Sequence, residues 1–189
     1  TGEGGVVVTK SKQIADLCRS MRNQGRSNKG GHGDLVRIGN NYRISDINCA
    51  LGIAQLERLK GILRKREKAA NMYNERLKGF PGIEIPYIGS GIKMSWFVYV
   101  VRLKNSVRRN QRDKIMAELR RRGIECNNYF SPIHLQPFYV KMFGYKKGGF
   151  PITESISERT IALPFYNNIT EEQIDYITRN LGNILKGSN

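Results

Sequence analysis

Gly39-Asn40-Asn41-Tyr42-Arg43-Ile44-Ser45-Asp46-Ile47 opens the span, running to Lys78, around which this chain of 189 residues is organised. Ser45 suits a helix N-cap, and Asp46 puts negative charge at the positive end of the helix dipole. Apolar or small residues recur at Ile44, Ile47, Leu51 and Ala54, and in a second row at Ala50, Ile53, Leu56 and Leu59. Steps of three and four give a wide buried face. No proline intervenes before Pro81, so the spacing predicts one helix over 45–78. A helix of that length suits a spine joining two compact parts; the plainer alternative is a long packing helix. Gly52 and Gly61 would each cost about 1 kcal/mol against alanine inside it. Close approach of another backbone would offset that, which points to a subunit or domain contact.

On the N-terminal side, Val6-Val7-Val8-Thr9 reads as a short β-branched strand, and Ser11 caps a helix with Ile14, Leu17, Cys18 and Met21 on one face. Residues 25–34 form a polar loop rich in glycine. It lacks the Gly-Lys-Ser/Thr ending of a phosphate-cradling Walker loop and leads into no clear helix, so a mobile loop is the better reading. On the C-terminal side, Gly79-Phe80-Pro81-Gly82 is turn punctuation and the expected domain boundary. Beyond it the pattern predicts strands at 83–85 and 95–103, a helix over 111–122 and a strand over 124–130. A loop follows from 131, with a helical turn or two before Tyr145. A short helix over 153–159 and a strand at 161–163 come next. The last helix is opened by the capping box Thr170-Glu171-Glu172-Gln173, with Ile174, Ile177, Leu181 and Ile184 inward. Strand, helix, strand implies an α/β layer.

The net charge is +16. Basic residues cluster at 64–66, at Arg108, Arg109 and Arg112, and at 120–122. Such a field attracts nucleic acid, acidic membrane or phosphorylated small molecules, but a solvated surface has the same composition. Three cysteines, Cys18, Cys49 and Cys126, are odd in number and far apart, as expected of reduced cytosolic thiols. No apolar run approaches the ~20 residues of a membrane span, and Thr1–Gly5 has neither the basic head nor the apolar stretch of a signal peptide. The first residue is not Met, which fits a piece of something longer. Two histidines without His-Glu-x-x-His or Cys-x-x-Cys spacing predict no metal site, and no Gly-x-Ser-x-Gly elbow is present. What remains is a pair of polar loops. Asn40-Asn41-Tyr42-Arg43 at a helix entry suits an anion such as a phosphate ester. Residues 127–137 place Tyr129, Phe130 and His134 beside Asn and Gln136, which suits a sugar or nucleotide; a packed loop with His134 as a turn partner is the structural alternative.

At these residues a resemblance enters. Thr1-Gly2-Glu3-Gly4-Gly5-Val6-Val7-Val8-Thr9, Met21-Arg22-Asn23-Gln24-Gly25, Asn41-Tyr42-Arg43-Ile44-Ser45-Asp46-Ile47, Ala50-Leu51-Gly52 and Ala54-Gln55-Leu56 resemble the DegT/StrS family of pyridoxal-phosphate sugar aminotransferases. So do Ser95-Trp96 with Tyr99-Val100-Val101, His134-Leu135-Gln136-Pro137, and Leu163-Pro164 ahead of Thr170. The likeness covers the whole chain, and the loop over 127–145 is most similar to the perosamine-synthase branch, which aminates a 4-keto sugar on a nucleotide. The resemblance implies an α/β fold, the C-terminal part of a fold-type-I aminotransferase: a remnant of the large cofactor domain (1–44), a long linking helix (45–78) and a small α/β domain (79–189). It implies transfer of an amino group from glutamate to a nucleotide-linked keto sugar, in a cytoplasmic homodimer with shared active sites, for cell-surface polysaccharide or amino-sugar synthesis. The Schiff-base lysine lies a few residues before the position of Thr1 in the family, so these residues alone are expected not to transaminate.

By the same likeness Asn41 reaches the neighbouring protomer's cofactor phosphate, Arg43 and Tyr42 hold that loop or line the pocket, and His134, Tyr129, Phe130 and Gln136 face the substrate. Two departures stand out: Phe97 where many relatives have His, and Asn40 where many have an aromatic. The competing reading is a truncated, non-catalytic module that uses its basic surface on nucleic acid or other acidic partners; an enzyme assembled from two chains is a third.

Overall fold

The computed structural model describes residues 1–27 and 33–187. Gly30, Gly31 and His32, within the glycine-rich loop expected over 25–34, lie outside the described residues. The chain divides into two compact units, Thr1–Leu59 and Lys60–Asn189.

In the first unit, α1 (Lys12–Arg22) begins where Ser11 caps it, its hydroxyl accepting from Ile14 N–H at 3.3 Å. The helix ends in a left-handed pair, Gln24 at φ 61° and Gly25 at φ 78°. Val6–Thr9 is not a strand: a strand needs a partner to take its backbone groups, and none pairs with it among the described residues. α2 (Asp46–Glu57) is capped by Ser45 as the sequence indicates, the hydroxyl accepting from Asn48 N–H. It stops at Arg58, so the single helix expected over 45–78 is instead two, and α3 (Leu59–Leu77) follows. A Cβ at Gly52 would sit 3.2 Å from Thr1 Cγ2, a tight approach, whereas Gly61 meets nothing within 4 Å. Only Ser20 and Gly25 are buried among the described residues of this unit. Val6, Val8, Ile38 and Ile47 are each more than 80% exposed.

The second unit has the closed core. Its antiparallel sheet has the order β1 (Ile83–Glu84), β2 (Tyr99–Leu103), β3 (Thr160–Leu163), so β2 is central, as its apolar composition predicts. Tyr99, Val101 and Leu103 alternate into the core. α4 (Arg109–Arg121) buries Ile115, Met116 and Leu119 and ends at Gly123, φ 73°. The strand expected over 124–130 is a single bridge, Asn127 with Ala162. A 3₁₀ turn (Ile133–Leu135), α5 (Pro137–Phe143) and α6 (Pro151–Ser157) precede β3, and α7 (Glu171–Gly187) closes the unit. The capping box forms in both directions: Thr170 N–H donates to Gln173 at 2.9 Å, and Gln173 N–H to the Thr170 hydroxyl at 3.3 Å. Tyr73 of α3 stacks on Tyr99 with ring centroids 4.6 Å apart, and its hydroxyl donates to Pro164 O at 2.7 Å. Burial pushes both phenols well above the usual tyrosine range. Arg76 of α3 grips Asp175 and Glu171 of α7.

Candidate functional site

The first unit carries the anion-suited loop. Backbone bonds sew Met21–Gln24 to Asn40–Tyr42: Asn40 N–H donates to Met21 O at 2.8 Å, Gln24 N–H to Asn40 O at 3.0 Å, and Tyr42 N–H to Arg22 O at 2.9 Å. Arg43 adds a guanidinium bond to the Asn23 side chain. The two motifs Met21-Arg22-Asn23-Gln24-Gly25 and Asn41-Tyr42-Arg43 therefore lie side by side. Asn41, Tyr42 and Arg43 are all exposed.

Glycine permits this pairing. A Cβ on Gly39 would fall 2.2 Å from Gly25 N and 2.6 Å from Met21 O, and one on Gly25 would fall 1.7 Å from Arg37 O. No side-chain rotation relieves a clash with backbone. Gly39→Ala should therefore displace the Asn41 loop and lower stability by about 1–3 kcal/mol, read by chemical denaturation. Gly61→Ala, which meets open space, should stabilise by several tenths of a kcal/mol to about 1 kcal/mol.

The second unit carries a cavity of about 590 Å³ whose wall mixes aromatic, aliphatic and hydroxyl side chains, with Tyr129, Phe130, His134, Tyr145 and Phe150 among the lining residues. That size accommodates a drug-sized ligand. Tyr129, Phe130 and His134 are thus brought to one place. Gln136 is not among the lining residues; it is exposed and precedes α5, its carbonyl accepting from Val140 N–H at 3.0 Å. Asn127 accepts from Arg120 at 3.1 Å and Asn128 from the Thr160 hydroxyl at 3.1 Å, so these amides tie the segment to α4 and β3. Phe97 packs edge-on against Tyr129 at 6.2 Å.

His134 is 9% exposed and packed by Phe150 at 4.6 Å and the edge of Tyr145 at 6.2 Å. Its Nε2 lies 3.0 Å from Glu154 Oε1. Glu154 is fixed in turn: Gly148 N–H donates to both carboxylate oxygens at 2.9 Å, and Phe150 N–H donates to Oε1 at 3.2 Å. Gly148's N–H first, with His134 and Phe150 N–H behind it, holds the Glu154 carboxyl below the usual glutamate range. The sequence reading did not single out Glu154. The available signal was an acid in the first turn of a helix entered through Gly148-Gly149-Phe150-Pro151, reaching back to orphan N–H groups.

The DegT/DnrJ/EryC1/StrS aminotransferase family model matches residues 1–182. The chain belongs to this family. Its aminotransferases depend on pyridoxal phosphate. A GDP-perosamine synthase of Vibrio cholerae is 33% identical over 178 residues, covering 94% of this chain and 47% of its own length. A DegT/DnrJ/EryC1/StrS aminotransferase structure from Brucella abortus superposes with a TM-score of 0.78 at 30% identity, over 92% of this chain and 44% of that one. The pyridoxal-phosphate form of a putative sugar aminotransferase from Streptococcus pneumoniae, at 21% identity and a TM-score of 0.86, shares the fold over 96% of this chain and 45% of its own. The α/β fold expected of such an aminotransferase is thus the fold found. The chain spans about half the length of the curated relatives it matches.

Proposed function

We propose that the chain is the C-terminal half of a pyridoxal-phosphate-dependent aminotransferase that moves an amino group from glutamate to a nucleotide-linked keto sugar, in a cytoplasmic homodimer with shared active sites. The observation that carries this reading is the cavity lined by Tyr129, Phe130 and His134, in a chain 33% identical to a GDP-perosamine synthase. Flat aromatic walls suit a sugar or base face, and a polar ring atom among them suits a hydroxyl.

The donor chemistry of the first unit fits a phosphate ester. The Asn41 amide, the Tyr42 hydroxyl and the Arg43 guanidinium are all hydrogen-bond donors on an exposed loop held at its backbone. In this reading Asn41 binds the cofactor phosphate of the neighbouring protomer, and Arg43 and Tyr42 hold the loop. When bound, pyridoxal phosphate supplies the electron sink that lets nitrogen pass between two carbon skeletons. His134, Tyr129 and Phe130 bind and orient the sugar nucleotide and exclude water; Gln136 supports the entry to α5 beside them. The domain reading follows: residues 1–44 complete the large domain, 45–78 link, and 79–189 form the small domain. The exposed apolar side chains of the first unit support this, because large apolar groups left in water ask for covering chain.

The test is nitrogen transfer from glutamate to a GDP-linked 4-keto sugar, measured as one 2-oxoglutarate formed from glutamate for each sugar aminated. The polypeptide carrying this chain together with the residues that precede it should turn over. The isolated 189 residues should not, for want of the reactive lysine. Turnover by the isolated chain overturns the reading.

A further inference from the structure

We propose that Glu154 is a positioning residue: it holds His134 in the Nε2–H form, so that Nδ1 faces ligand as a hydrogen-bond acceptor for a sugar hydroxyl. The inference deepens the reading above and rests on it for the identity of the ligand. It goes beyond naming His134, because it assigns a tautomer, a role for each ring nitrogen and a residue that sets both.

Glu154 is 8% exposed, yet its oxygens receive Gly148 N–H twice and Phe150 N–H once. Two fixed backbone donors hold it in its ionised form. An ionised carboxylate only accepts. The ring nitrogen 3.0 Å from its Oε1 must therefore carry the hydrogen. In neutral imidazole the other nitrogen then presents a lone pair. His134 lines the 590 Å³ cavity, and with Nε2 engaged by Glu154, Nδ1 is the ring atom left for a ligand. The ring cannot turn freely between Phe150 and Tyr145. Tyr129, Tyr139 and Tyr145 are the titratable groups on the cavity side. Arg109, Arg112, Lys147 and Glu158 lie with Glu154 around a smaller cavity of about 120 Å³. A purely structural histidine bonded to Glu154 would take the same tautomer; only a ligand contact through Nδ1 makes substrate affinity depend on it.

The experiment uses the full-length protein with ¹⁵N-labelled histidine, its His134 signals assigned by difference against His134→Gln. Long-range ¹H–¹⁵N correlation should show Nε2 protonated and Nδ1 bare in the wild type. Glu154→Gln keeps the shape, removes the charge and adds a donor, and should shift His134 toward the opposite tautomer. The same variant should raise KM for a GDP-linked 4-keto sugar about tenfold, the loss of roughly one hydrogen bond, and change kcat less. Glu154→Ala, which empties the carboxylate cradle, should show the same KM effect if it folds; if it does not, the KM of Glu154→Gln, which keeps the shape, carries the test. A protonated Nδ1 in the wild type, or an unchanged tautomer and KM in Glu154→Gln, overturns the proposal. A wild-type enzyme that fails to aminate this sugar while showing the Nε2–H form would instead overturn the substrate reading and leave the role of Glu154 standing.

Discussion

Arg112→Met should lower the unfolding free energy of the second compact unit by about 3–5 kcal/mol, measured by urea denaturation. Arg112 has a side chain 2% exposed, although it is a charged residue of an arginine-rich helix. Its Nη1 donates to Ser157 O at 3.2 Å and to Thr160 O at 3.1 Å, and its Nε to Asp113 at 2.7 Å. Methionine keeps the aliphatic stem but stops near the Nε position, so the loss combines the hydrogen bonds with the buried space that the guanidinium vacates. Two carbonyls lose a donor, and a lone acceptor in that setting costs more than the bond itself contributed. Both carbonyls sit where α6 passes into β3, the junction that sets the direction of the helix carrying Glu154. Arg109→Met supplies the contrast. That side chain is 69% exposed and lies 3.8 Å from Asp113, so its removal should change stability by less than about 1 kcal/mol. Equal losses at the two positions would contradict the account of Arg112.

The basic excess follows in part from the same habit. Arg66 donates to Trp96 O, Arg112 to Ser157 O and Thr160 O, Arg120 to Cys126 O, and Arg159 to Leu103 O. These cations tie strands and loops together through main-chain carbonyls and need no acidic partner for that work. Part of the charge is therefore accounted for without a polyanionic ligand.

What was legible in the sequence was mostly local. Ser11, Ser45 and Thr170 announce their helices because a cap acts on its own first turn. The apolar rows of α4 and α7 announce their buried faces in the same way. Pairing is not local, and there the reading failed. Val6–Thr9 has strand composition without a strand beside it, and 124–130 reaches β3 through one bridge only. The break at Arg58 has no Gly or Pro to mark it; the residue keeps right-handed helical dihedrals while its N–H turns to Leu56 O. Tyr129, Phe130 and His134 stood out by residue type and share a cavity. Glu154, which orders that cavity, lies 20 residues from His134, and only the fold brings the two together.

The central proposal is that this chain serves a cofactor held by another protomer, through Asn41. Its sharpest consequence is complementation. Asn41→Asp sets a like charge against the cofactor phosphate and removes a donor, so the full-length variant should lose about 100-fold or more in activity at limiting cofactor. Alanine at the lysine expected shortly before Thr1 should abolish turnover outright. If Asn41 of one protomer completes the site of its neighbour, a mixed dimer of the two variants has one site with both residues intact and one with neither. Unfolding and refolding an equal mixture should then restore about one quarter of wild-type activity, since about half of randomly paired dimers are mixed and each has one working site. Transfer of nitrogen from glutamate to a GDP-linked 4-keto sugar by that refolded mixture is the most direct measurement. Recovery to about a quarter is the predicted result; a mixture no more active than its two inactive parents would contradict the account.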